Sequence, residues 1–261
     1  MPPMKRVRRL SRRRKISLIL FGVVLLIAAG WTGGFFLHDS SQAASISQAL
    51  RLFRASKHDA GGLNGVYIYA TNGSESVNAL GGARHVYPAR TSITAIEVPC
   101  GIRLRWAALE KRSTTWTFCS TPAGIELRVS DERHAFYNIS DHSLYVCSGR
   151  LLIPKNGPVA GATEPFSCRS NRNLEVGEVH IIGVVPLDIG GRRVDAIHAS
   201  TDLTIRSYDS GSESIEWWLD AATALPLRIE LHSRTSRKMW VGRVQYHEDL
   251  SLHLLSLTPL R

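Results

Sequence analysis

The chain has 261 residues, 44 % of them hydrophobic, enough to build a core and to exclude disorder for the bulk. Its formal net charge is +10, but eight basic groups (Lys5, Arg6, Arg8, Arg9, Arg12, Arg13, Arg14 and Lys15) crowd the first fifteen residues, leaving 24 basic against 22 acidic residues elsewhere. The high charge belongs to the tail. Beside an apolar run it signals membrane topology, so no nucleic-acid partner is expected.

Residues 16–37, ISLILFGVVLLIAAGWTGGFFL, carry no charge. At a rise of about 1.5 Å per residue they reach roughly 33 Å, enough to cross a hydrocarbon core of about 30 Å. Residues 1–15 are then a cytoplasmic tail, 16–37 a transmembrane helix, and the bulk lies on the extracytoplasmic side of the cell membrane in a single-pass arrangement. Ser41-Gln42-Ala43 offers the small residues of a cleavage site. The apolar run is longer than a signal peptide requires, which favours a retained anchor. The first cysteine is Cys100, too distant for lipoprotein processing.

Residues 38–62 read as a stalk. Ile46, Ala49, Leu50 and Phe53 recur at helical spacing, predicting one amphipathic helix over 44–55. From Gly65 the period falls to two, and an antiparallel β domain, half-barrel or sandwich, is expected over 63–261. GVYIYAT (65–71) is the first predicted strand, with a hairpin turn at Asn72-Gly73. In GIRLRWAAL, Ile102, Leu104 and Trp106 share one face. TTWTFC (114–119) and GIELRV (124–129) follow, the latter alternating Ile125, Leu127 and Val129 with Glu126 and Arg128. Pro154, Pro158, Pro165, Gly157 and Gly161 make 153–173 a loop-rich divider between two halves. Strand-like runs resume at 178–187, 192–199, 201–208, 214–220, 225–231, 239–248 and 250–257.

The four cysteines, Cys100, Cys119, Cys147 and Cys168, all fall on the expected outer side. An oxidising compartment makes two disulfides the natural reading, with three pairings open. Neighbours in sequence, Cys100 with Cys119 and Cys147 with Cys168, are favoured as partners on adjacent strands, each closing a loop worth about 3 kcal/mol. No C-x2-C or H-x3-H spacing supports a metal site.

No catalytic motif is present: neither G-x-S-x-G, H-E-x-x-H nor a Walker loop occurs. No cofactor is expected, and an enzyme is not. SGSES (210–214) reads as a solvated hairpin loop, and Glu126, Asp131 and Glu132 as surface charge. Trp217 and Trp218 are adjacent on one strand, so they point to opposite faces. One enters a core; the other needs a second apolar surface, which makes both candidate ligand-binding residues.

WWLDAATALPLRIEL (217–231) resembles the strand-turn-strand signature of the LolA/RseB-like lipoprotein-carrier fold, matching at Asp220, Thr223, Leu225 and Pro226. Asp and Thr can bond turn amides, and Pro suits a strand start. The whole chain, with 26 Arg to 6 Lys, resembles membrane-anchored extracytoplasmic proteins of high-GC Gram-positive bacteria. The carrier resemblance implies a curved half-barrel whose concave apolar face is covered by helices and holds acyl chains. The expectation is a membrane-tethered binding module for a lipid or apolar ligand. A scaffold for another envelope protein is the alternative, and an envelope hydrolase the third reading.

Overall fold

A computed structural model describes residues 39–56, 61–137, 139–149, 153–154, 157–239 and 242–261. The basic tail and the expected span 16–37 lie outside the described residues. Among the described residues no helix is long and apolar enough to cross a membrane. Residues 40–261 form one compact unit.

The helix expected over 44–55 forms. In α1 (Ile46–Ala55) the Ser45 side chain caps the first turn by accepting the Gln48 amide at 3.3 Å, and Phe53 is buried. The rest is strand: β1 (Gly65–Val77), β2 (Ala83–Val86), β3 (Arg90–Val98), β4 (Gly101–Leu109), β5 (Arg112–Thr121), β6 (Gly124–Phe136), β7 (Ile139–Gly149), β8 (Ile153–Pro154), β9 (Thr163–Arg169), β10 (Asn173–Ile189), β11 (Arg192–Ser207), β12 (Asp209–Asp220), β13 (Pro226–Met239) and β14 (Gly242–Leu254). All pairings between them are antiparallel.

The sheet closes. β14 pairs with β13 on one side and with β1 on the other, from Tyr69 opposite Leu254 to Val77 opposite Tyr246. Among the described residues twelve strands thus form a barrel, with β2 flanking the far end of β1 and β8 adding to β6. The expected half-barrel or sandwich is corrected, and so is the helix-covered concave face that the carrier resemblance implied. Closure pairs the backbone groups that an open sheet would leave at its edges. Outward positions carry Arg105, Arg133, Asp202, Glu216, Glu230 and Arg234, the reverse of the apolar outer band of a lipid-facing barrel.

Four further expectations change. Asn72-Gly73 is not a turn but mid-strand in β1: Gly73, at φ 138°, lies where a Cβ would stand 2.0 Å from the Asp249 carbonyl oxygen. SGSES is not a loop but the start of β12, paired with 232–236 of β13. The divider 153–173 contributes β9, which pairs with both β7 and β10, so the sheet runs through it. In β6 the register shifts between Thr117–Val129 and Phe118–Leu127, so Arg128 is an extra residue. This bulge reverses the expected face of Val129 and turns Ser130 and Glu132 inward instead.

The interior has two parts. Eight strands make a barrel that side chains just fill, so twelve need large ones or leave space. At the end formed by the starts of β1, β4 and β13, Tyr67, Tyr69, Leu104, Trp106, Trp116, Phe118 and Trp217 are buried and fill the lumen. Trp116 and Phe118 meet the Trp217 ring edge-on at 5.4 and 5.9 Å. Tyr69 donates to the Pro226 carbonyl at 2.6 Å, joining β1 to the start of β13.

Candidate functional site

At the other end the inward positions are shorter or polar: Ser130, Ser143, Asn173 and Ser233 stand where rings would be needed to fill the space. A cavity of about 200 Å³ remains, lined by the ends of β1, β6, β11 and β13 and the starts of β7, β10, β12 and β14. Its walls include Val77, Leu80, Phe136, Ile139, Met239 and Val244. A second void of about 30 Å³, room for one water, lies toward Trp116 and Trp217. Glu132, Glu175 and Glu213 line both, so these carboxylates stand between them.

Three charged groupings surround the cavity. The first centres on Arg112, which is 2 % exposed. Its Nε and Nη2 donate to the two Glu248 oxygens at 3.0 and 2.9 Å, and its guanidinium lies over the Trp106 ring at 5.2 Å. Tyr87 donates to the same carboxylate, as does Tyr246 at 2.8 Å. Next to it, fully buried Glu75 lies 2.9 Å from His85 Nδ1 and 3.1 Å from His134 Nδ1, and receives the Tyr246 hydroxyl at 3.1 Å. Burial alone would raise the Glu75 pKa. Hydrogen bonds to His134 and His85 and the charge of Arg112 outweigh it and hold the carboxyl at about 2.

The second grouping is at the rim. Arg237 donates to both Asp209 oxygens at 2.5 and 2.7 Å and to Asp141 at 2.7 Å, and Arg172 also donates to Asp141. Asn173 completes it by bonding the Asp209 side chain and amide.

The third grouping has no cation. Among the described residues no ion pair reaches Glu132, Glu175 or Glu213. Their partners are hydroxyls: Ser130 donates to Glu132 at 3.0 Å, Tyr145 to Glu175 and Ser233 to Glu213. Burial, then repulsion from Glu132 and Glu213, pushes Glu175 up to about 9. Burial, then repulsion from Glu132 and Glu248, pushes Glu213 up to about 8.

The residues singled out from sequence lie elsewhere. Trp217 lines only the small inner void, while Trp218 faces outward between a stacked His198 ring at 4.2 Å and the Arg228 guanidinium at 4.4 Å. Neighbouring strands of the same barrel therefore supply the second surface that Trp218 needs. Asp220, Thr223, Leu225 and Pro226 build the β12–β13 turn as their chemistry suggested. Asp220 Oδ1 accepts the Thr223 amide at 2.9 Å and hydroxyl at 2.7 Å, and Pro226 opens β13. Cys100 is bonded to Cys119 and Cys147 to Cys168, each pair closing neighbouring strands or their hairpin. Among the described residues no group of His, Cys, Asp or Glu is arranged to hold a metal ion.

The cavity residues were missed for identifiable reasons. Glu132 was hidden by the β6 bulge and Glu213 by reading SGSES as a loop. The usable signal was parity: Glu213, Ile215, Trp217 and Leu219 fall on one face of a strand, as do Glu248, Leu250, Leu252 and Leu254.

No family model and no curated protein matches the chain. Among solved structures, the hypothetical lipoprotein YmcC of Escherichia coli K12 aligns at 14 % identity with a TM-score of 0.31, covering 79 % of this chain and 96 % of that one.

Proposed function

We propose that the barrel is a binding module, held outside the cell membrane by residues 16–37, that takes a small ligand with an apolar body in its open end. The observation that carries this reading is the cavity of about 200 Å³ in a barrel whose other end is packed solid. Burying apolar ligand surface against Val77, Phe136, Ile139 and Val244 contributes about 25 cal/mol per Å². The two tryptophans serve the fold in this reading, Trp217 as packing and Trp218 as outer-face cover.

A carboxylate-pair hydrolase is the second reading, favoured by the elevated Glu175 and Glu213. The wall is mixed, and its apolar part, Val77, Leu80, Phe136, Ile139, Met239 and Val244, favours an apolar body over a sugar.

Native mass spectrometry of the full chain released from membranes tests the binding reading. A small co-purifying mass is expected, and Ser143→Phe, which fills the cavity from β7, removes it. A bare mass, together with no binding of a small apolar probe such as benzyl alcohol, contradicts it.

A further inference from the structure

We infer that the ligand of this cavity is an organic cation, a primary ammonium on an apolar body, with its charged end among Glu132, Glu175 and Glu213. The inference rests on the cavity being a binding site and names what that site selects. The cavity joins an apolar wall, Val77, Leu80, Phe136, Ile139 and Val244, to a floor where three strands each turn a carboxylate inward. Glu175 is 6 % exposed, borders both the cavity and the void beneath, and accepts the Tyr145 hydroxyl.

Among the described residues the other acids of this lumen each lie against a basic side chain. Arg112 takes Glu248, the two histidines take Glu75, and Arg237 takes Asp141 and Asp209. The floor carboxylates repel one another, and the Arg112 charge that reaches Glu213 is already shared with Glu248 and Glu75. Ionised carboxylates buried without an ion pair are costly, and an ammonium that donates hydrogen bonds to them reduces that cost. A metal ion would need the oxygens closer to one point than an ammonium does, and among the described residues no group is arranged to hold one. An anion would meet three carboxylates. A neutral apolar molecule would cover the apolar wall but leave the floor carboxylates without an ion pair. The alkyl or aryl body of the cation matches the apolar wall, so charge and shape select the same molecule.

The test uses two probes of nearly equal size, benzylamine and benzyl alcohol, titrated by calorimetry at pH 8 into the full chain in phosphatidylcholine nanodiscs, with empty discs subtracted. Benzylamine is expected to bind at least tenfold tighter than the alcohol. In Glu175→Gln/Glu213→Gln that preference is expected to vanish while alcohol binding persists, which also shows that the variant is folded. Equal binding of both probes to the wild type overturns the cation inference and leaves the binding reading standing. Binding of neither overturns both. A preference for the amine that survives in the double variant overturns the placement of its charge.

Discussion

The two ends of the barrel interior solve the same geometric problem differently. Twelve strands enclose more space than ordinary side chains fill. One end closes that space with rings: Trp106, Trp116, Phe118 and Trp217 are all within a few per cent of full burial. The other end spends its inward positions on Arg112, Glu75, Glu248 and the three floor carboxylates, and keeps a cavity. The first is held by packing, which is dense and indifferent to pH. The second is held by ion pairs and tolerates three carboxylates without any. Carboxylates without an ion pair beside empty space set this end apart from the packed one.

The largest effects should come from removing what holds each end. Trp217→Ala leaves Trp116 and Phe118 facing a void and is expected to destabilise by about 3–5 kcal/mol. Its neighbour Trp218→Ala loses the outer stack with His198 and Arg228 and the area they cover, but opens to solvent instead of leaving a closed void, about 2–3 kcal/mol. Urea midpoints of the two variants check this, and equal losses would show that the outer face is as much a core as the lumen. Arg112→Ala strands Glu248 and Glu75 and is also expected to cost about 3–5 kcal/mol. Arg112→Met/Glu248→Leu, which removes both charges, should recover part of that loss. If it does not, the pair contributes more than mutual compensation.

A smaller effect separates the two ends by pH. Glu175 and Glu213 have folded pKa values of about 9 and 8 against 4.5 as the ordinary value, so the folded state favours their protonated forms. Their contribution is complete below about 4.5 and is lost as pH rises through 8 to 9. Glu75, held at about 2, acts in the opposite sense: its contribution is present above 4.5 and is lost as pH falls toward 2. Urea midpoints across pH 3 to 9 should therefore decline on both sides. Glu175→Gln/Glu213→Gln should flatten only the alkaline limb, and a flattened acid limb would contradict the assignment.

Much of the packed end was legible. Trp116 and Phe118 alternate with threonines in TTWTFC, Asp220 and Thr223 announce their turn, and the cysteines pair with their neighbours in sequence. The open end was not, because its position depends on two events that local pattern does not encode. One is closure of β14 onto β1, a pairing between residues more than 150 apart in sequence that brings Tyr246 and Glu248 beside Glu75. The other is the single extra residue in β6, which decides whether Val129 or Glu132 faces the lumen. Polar residues on the inward parity also look like surface when no partner strand is known, which is how Glu213 passed as part of a loop.

Methyl NMR of the full chain labelled at methionine tests the central claim most directly, because Met239 lines the cavity and the other two methionines, Met1 and Met4, stand in the N-terminal tail. Titration with benzylamine should move the Met239 signal saturably, and Ser143→Phe should abolish the shift. A Met239 signal that stays fixed throughout the titration would contradict a binding site at the open end of the barrel.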